Sequence, residues 1–130
     1  MKSNPVAWFE IYVQDMERAK AFYEAMLDVK LEKMPPPTSE MNMDMWSFPT
    51  DKEAAHNLYG ACGMLVKMEG VPSGLGGTLV YFACQDCAVE AARAAENGGS
   101  IFKGKTPIGE HGFFALVHDT EGNLIGLHSM

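Results

Sequence analysis

The chain has 130 residues, of which 47% are hydrophobic and 21% charged, the composition of an ordinary globular domain. The net charge of −7, with ten Lys and Arg and no dense basic patch, argues against a nucleic-acid partner. We find no signal-peptide pattern and no run of the roughly 20 apolar residues that a membrane helix needs. Because the three cysteines are sparse and odd in number, we expect a cytoplasmic protein without structural disulfides.

The first half of the chain predicts a strand, a helix and three further strands. Residues 6–13 (VAWFEIYV) are rich in aromatic and β-branched side chains, which is typical of a strand. Asp15 is the predicted N-cap of a helix over residues 16–27, where apolar side chains recur every three or four positions. The further strands are predicted over residues 31–34, 43–48 and 58–66.

The same order of elements returns in the second half. Residues 78–84 predict a strand, and Asp86 is the predicted N-cap of a helix over residues 87–97. Aligning Asp15 with Asp86 relates the two halves by a displacement of 71 residues. The last strands are predicted over residues 100–103, 113–118 and 124–128.

This repeat predicts an α+β protein made of two tandem βαβββ modules in one domain. The first module covers about residues 1–69 and the second about residues 78–130. The glycine- and proline-containing segment 70–77 (GVPSGLGG) is the predicted linker between them.

Four motifs, in order over nearly the whole chain, carry a family resemblance. They are WFEIYVQDMERAKAFYEAMLD, GACGML, LVYFACQDCAVEAARAAENGGSIF and PIGEHGFFALVHDTEGNLIGLHS. Together they resemble the vicinal oxygen chelate superfamily of glyoxalases, bleomycin resistance proteins and dioxygenases, in its lactoylglutathione-lyase-related branch. The resemblance implies a glyoxalase-like cleft between the modules, a small-molecule ligand in that cleft, and a homodimer.

The same resemblance points to the positions where metal-using members hold a divalent cation. Those members have His or Gln seven residues before the helix-capping Asp, and Glu or His in the last strand of each module. The matching residues here are Trp8, Leu79, Gly126 and one of residues 63–65, none of which is a usual ligand. We therefore expect no metal and no other cofactor; a non-standard divalent-metal site is the alternative.

Two polar residues near these positions are the candidate catalytic groups. Glu10 follows Trp8 by two residues and His128 follows Gly126 by two, so strand alternation puts each on the face of the missing ligand. Glu10 could act as an acid or base with His128 or Tyr12, or anchor a ligand; alternatively, it is a carboxylate held by neighbouring strand residues. The residues predicted to line the binding cleft are Trp8, Tyr12, Trp46, Leu79, Tyr81 and Gly126.

The sequence therefore leaves three hypotheses for function. The first is a metal-free protein that binds a small organic molecule in the cleft, and the second is a lyase- or isomerase-type enzyme that uses Glu10. The third is an interaction subunit that pairs across a dimer. The alternating methionines 41, 43 and 45 predict a strand edge or an adaptable pocket wall rather than a copper site, because no His or Cys accompanies them.

Overall fold

The computed structural model describes residues 4–38, 42–49 and 61–130. These residues divide into two compact units: an N-terminal unit of residues 8–78, and a C-terminal unit of residues 79–130 with residues 4–7. The described elements are β1 (Val6–Tyr12), α1 (Met16–Leu27), β2 (Glu32–Met34), β3 (Met43–Ser47), β4 (Cys62–Met68), β5 (Thr78–Ala83), α2 (Cys87–Glu96), β6 (Ser100–Pro107), a 3-10 helix (Gly109–His111), β7 (Phe113–His118) and β8 (Leu124–Ser129).

In the N-terminal unit the strands lie in the order β2-β3-β4-β1. The β2–β3 and β3–β4 pairs are antiparallel, whereas β1 and β4 are parallel and need the connection that α1 and the two intervening strands provide. Helix α1 begins where predicted, because Asp15 Oδ1 accepts a hydrogen bond from the Arg18 amide at 3.0 Å.

The C-terminal unit repeats this plan with the order β5-β8-β7-β6. Strands β5 and β8 are parallel, and the other two pairs are antiparallel. Asp86 Oδ1 caps α2 by accepting from the Ala88 amide at 3.1 Å. The predicted α+β fold with two βαβββ units is confirmed.

Each helix covers one face of its own sheet with a small apolar core. Under α1 the buried residues are Met16, Leu31 and Leu65, and under α2 they include Cys87, Ala91 and Val117. The apolar residues predicted to form one face of α1 include some that do not pack against the sheet. Phe22 and Leu27 belong to that predicted face but are 57% and 50% exposed.

Two strands differ from the prediction. Strand β4 covers Cys62–Met68 instead of residues 58–66, and residues 58–60 lie outside the described residues. Strand β6 continues to Pro107, four residues past the predicted end, because it pairs with β7 along its whole length. Its register shifts between Ile101 and Lys103 and again between Lys103 and Thr106.

Gly63 in β4 leaves room for the ring of a neighbouring phenylalanine. It lies opposite Phe9 in β1, and a Cβ atom at this position would come within 2.3 Å of the Phe9 ring. That ring also packs against Phe48, with centroids 5.4 Å apart, so it cannot swing freely away.

We expect Gly63→Ala to lower the free energy of unfolding by about 1–3 kcal/mol, because the added methyl overpacks the Phe9 site. Urea unfolding of the purified variant measures this change. Gly104→Ala is the matched control, since a Cβ there would meet nothing within 4 Å. Equal effects at both positions would contradict this account.

Candidate functional site

The candidate site is built around Glu10 on the face of β1 that points away from α1. Strand alternation places Trp8, Glu10 and Tyr12 on this face, while Phe9 and Ile11 point towards the helix. The Glu10 side chain is 7% exposed. Trp8 Nε1 donates to its Oε2 at 3.1 Å and the Tyr12 hydroxyl donates to its Oε1 at 2.8 Å. Both carboxylate oxygens are thus held by neighbours on the same strand.

An apolar surface, here called the methionine face, surrounds this carboxylate. Along the parallel β1–β4 pair, Met64 lies beside Glu10 and Val66 beside Tyr12. Met45 in β3 is 2% exposed and pairs with Val66 of β4. The methionine face consists of Met34, Met43, Met45, Met64, Val66 and Met68, packed with Trp8 and Tyr12.

Tyr12 serves this site as a hydrogen-bond donor. Burial, together with the negative charge and hydrogen bonding of Glu10, raises its pKa far above the usual range. The hydroxyl therefore keeps its proton at neutral pH. Of the two partners predicted for Glu10 in acid–base chemistry, Tyr12 contacts it directly.

The other predicted partner, His128, belongs to the C-terminal unit. Its Nε2 lies 2.6 Å from the carbonyl oxygen of His111, so this nitrogen donates and the ring is tied to the 3-10 helix. The side chain of His128 thus links β8 to the 3-10 helix that precedes β7 by one hydrogen bond.

Leu79, Tyr81 and Gly126, the remaining predicted lining residues of the C-terminal unit, lie on the face opposite α2. Leu79 and Tyr81 are buried. The Tyr81 ring covers Gly126 so closely that a Cβ at Gly126 would lie 2.3 Å from it.

Trp46 does not join the methionine face. Because Met43 and Met45 occupy that face of β3, Trp46 points to the α1 side and packs against the core around Leu65. Lys20 Nζ lies 3.3 Å from the centroid of its indole, a cation–π contact. Of the alternating methionines, Met43 and Met45 belong to the methionine face, and Met41 lies outside the described residues.

The donor set at the family's metal positions does not fit a divalent cation. The indole of Trp8 can only donate, Leu79 is apolar, and Gly126 has no side chain and no room for one beside Tyr81. Within residues 4–38, 42–49 and 61–130, no group of three or more His, Cys, Asp or Glu side chains comes together.

Strand alternation predicted that Trp8, Glu10 and Tyr12 share a face, but the sequence analysis did not predict Trp8 as a hydrogen-bond donor to Glu10 and missed most of the methionine face. Met34, Met64 and Met68 were not assigned to it, although Met64 and Met68 recur with the two-residue spacing of β4. Met68 lies past the predicted end of β4, and only the pairing of β4 with β1 places Met64 beside Glu10.

We expect Tyr12→Phe to lower the free energy of unfolding by about 1–3 kcal/mol at pH 7, because Glu10 loses a buried donor. Tyr23→Phe is the matched control, since the Tyr23 hydroxyl makes no hydrogen bond to any residue the structure describes. Chemical denaturation measures the free energy of unfolding of both variants. A Tyr12→Phe variant as stable as Tyr23→Phe would contradict the proposed support of Glu10.

The raised pKa of Tyr12 also predicts a pH dependence. The folded state favours the protonated hydroxyl, so its contribution to stability is complete below the ordinary pKa of about 10 and is lost above it. We expect the stability of the wild-type protein to fall more steeply than that of Tyr12→Phe between about pH 10 and 11.5. Parallel curves for the two proteins would refute this prediction.

Comparison with known proteins places this architecture in a family. A family model described as the Glyoxalase/Bleomycin resistance protein/Dioxygenase superfamily matches residues 6–127. A search of curated proteins finds no match. In the part of the chain that the structure describes, no helix is long and apolar enough to cross a membrane.

Solved structures of low sequence identity share the fold. A hypothetical protein from Bacillus halodurans C-125 is 15% identical with a TM-score of 0.70, over 99% of this chain and 96% of that one. A Streptomyces coelicolor methylmalonyl-CoA epimerase variant, in complex with 2-nitronate-propionyl-CoA, is 16% identical with a TM-score of 0.66, over 96% of both chains. The Mycobacterium tuberculosis methylmalonyl-CoA epimerase is 15% identical with a TM-score of 0.65, over 99% of this chain and 91% of that one. With the family model covering most of its length, the chain belongs to the glyoxalase/bleomycin resistance protein/dioxygenase superfamily.

Proposed function

We propose that this protein binds a small organic molecule on the methionine face, anchored by the Glu10 carboxylate and without a metal ion. One observation carries the proposal. Glu10 is a buried carboxylate that accepts from Trp8 and Tyr12, and the described residues packed around it are methionine, valine and aromatic side chains. Burying a carboxylate is costly in free energy unless its hydrogen bonds are supplied. Trp8 and Tyr12 supply two of these hydrogen bonds and so stabilise Glu10 in its buried position.

The hydrogen-bonding capacity of the carboxylate indicates the polar part of the ligand. An ionised carboxylate accepts hydrogen bonds and donates none, so the ligand group that binds it must carry a hydrogen-bond donor. A hydroxyl, an indole-type N–H or an ammonium group has this chemistry.

The methionines indicate the apolar part. Thioether side chains are unbranched and polarisable, and they adapt to irregular or aromatic shapes. Met64 lies directly beside Glu10, so a ligand donor bonded to the carboxylate brings its apolar body onto this surface. The ligand class is therefore an apolar, preferably aromatic, molecule with one hydrogen-bond donor.

A second candidate function is an isomerase- or lyase-type enzyme in which Glu10 moves a proton. The burial of Glu10 favours it, as does the fold shared with methylmalonyl-CoA epimerases. Against it, Trp8 and Tyr12 both donate to the carboxylate and both keep their protons, which suits an anchoring acceptor better than a proton shuttle.

Binding is tested with a pair of probes that differ in one donor, indole and 1-methylindole. With ¹³C-methyl-labelled methionine, we expect indole to shift the methyl signals of Met45, Met64 and Met68 and to leave that of Met16, in the α1 core, in place. Since one hydrogen bond to a charged group contributes roughly 1.5 kcal/mol, indole should bind about tenfold more tightly than 1-methylindole.

Glu10→Gln removes one acceptor oxygen and should reduce the preference for indole by about threefold or more. Glu96→Gln, at the exposed end of α2, is the matched control and should leave it unchanged. Equal affinity of the wild-type protein for both probes, or shifts confined to Met16, would overturn the binding proposal.

The enzyme and metal alternatives have separate tests. Incubation with methylmalonyl-CoA in D₂O should give no exchange of the substrate α-proton; exchange that Glu10→Gln abolishes would establish the enzyme instead. Purified protein should contain no stoichiometric nickel, zinc, iron or manganese. A metal that is lost in Glu10→Gln would refute the metal-free proposal.

The C-terminal unit enters the proposal through the family resemblance alone. That Leu79, Tyr81 and Gly126 complete the ligand site stays a prediction, to be tested by indole titration of Tyr81→Ala. The cytoplasmic location and the homodimer also stay predictions.

A further inference from the structure

The N-terminal unit contains an open cavity on the α1 side of its sheet, and Tyr12 is the one lining residue that it shares with the proposed ligand site. It has a volume of about 480 Å³ and lies between the end of β1, the first turns of α1 and residues 73–74. Ala19, Phe22 and Tyr23 of α1 form one wall. Because α1 covers the sheet face opposite Glu10, this wall belongs to a different surface from the methionine face.

The wall of the cavity is aromatic. Phe22 is 57% exposed, and its ring meets that of Tyr23 edge to face with centroids 5.1 Å apart. Tyr23 is fixed in turn by Phe48, at 5.8 Å in the same geometry. Phe22 therefore presents a ring to the cavity on a rigid support, where a second planar group could pack against it.

Part of the rim is polar and held in place. Gln14 Nε2 donates to the Val71 carbonyl at 2.9 Å and to Ser73 Oγ at 3.2 Å, and Ser73 Oγ donates to the Tyr12 carbonyl at 2.7 Å. These hydrogen bonds tie residues 71–73 to the end of β1. The rim is thus formed before any ligand arrives.

Besides the carboxylate of the helix cap Asp15, whose Oδ1 accepts a hydrogen bond from the Arg18 amide, the cavity lining contains one cationic residue, Arg18. It is one of only two arginines in a chain of net charge −7. Its neighbour Lys20 is 3.8 Å from Glu17, and Lys105 is 3.0 Å from Asp86, whereas Arg18 forms no ion pair with any described residue. A guanidinium at the wall of a cavity can receive a carboxylate through two parallel hydrogen bonds.

We propose that this cavity is a second binding site, specific for an aromatic carboxylate. The ring of the ligand packs against Phe22 and Tyr23, and its carboxylate pairs with Arg18. Its ligand differs from the one proposed for the methionine face, and Tyr12 is the one residue that lines both sites.

The experiment uses 2-naphthoate as the probe and 2-naphthamide as its uncharged counterpart. In ¹H–¹⁵N spectra of the full chain, 2-naphthoate should shift the amides of residues 11–23, 73 and 74, without moving the methyl signals of Met45 and Met64. Loss of one bidentate charge pair should make 2-naphthamide bind about tenfold more weakly. Shifts centred elsewhere, or equal affinity for the two probes, would overturn the proposal.

Matched variants separate the two contacts. Arg18→Gln and Phe22→Ser should each weaken 2-naphthoate binding about tenfold, while Arg93→Gln on α2 and Phe102→Ser, which removes another exposed ring, should leave it unchanged. Both test residues are exposed, and the spectra themselves report whether each variant is folded. Binding that falls in Arg18→Gln but survives Phe22→Ser would be ion pairing alone and would refute an aromatic site.

Discussion

The two-residue alternation of β1 assigns neighbouring side chains to opposite environments, and most of the N-terminal unit depends on that division. Phe9 and Ile11 enter the core under α1, while Trp8, Glu10 and Tyr12 face the other way. A shift of one residue in this strand would place a carboxylate in the helix-covered core and phenylalanine in its place. Glu10 is stable where it lies because its two donors are the next residues on its own face.

Both units use an aromatic ring over a glycine to bring parallel strands together, yet they use opposite faces. In the N-terminal unit Phe9 covers Gly63 on the α1 side, and in the C-terminal unit Tyr81 covers Gly126 on the side away from α2. The repeat is therefore one of backbone topology and not of side-chain environment. In the second unit the ring occupies the space that a metal ligand at position 126 would need.

The sequence was sufficient for the elements that rest on local chemistry. Helices α1 and α2 begin where Asp15 and Asp86 predict, because a cap requires only its own first turn. The sequence was insufficient for features that depend on pairing between strands. The length of β6 depends on β7, and the face on which Trp46 lies depends on the phase of β3, which neighbouring strands fix. For the site, the alternation predicted that Glu10, Trp8 and Tyr12 share a face, but only the β1–β4 register brings Met64 beside them.

The methionine face also has a redox character. Oxidation of a thioether to a sulfoxide replaces an apolar, flexible side chain by a polar one. Met45 and Met64 are shielded at 2% and 6% exposure, whereas Met43 and Met68, which pair at one end of the face, are partly open to solvent. Peroxide would oxidise the methionines at that end first and place polar sulfoxide groups at the edge of the methionine face. The polarisable thioethers that let these side chains adapt to a ligand therefore also make them susceptible to oxidation.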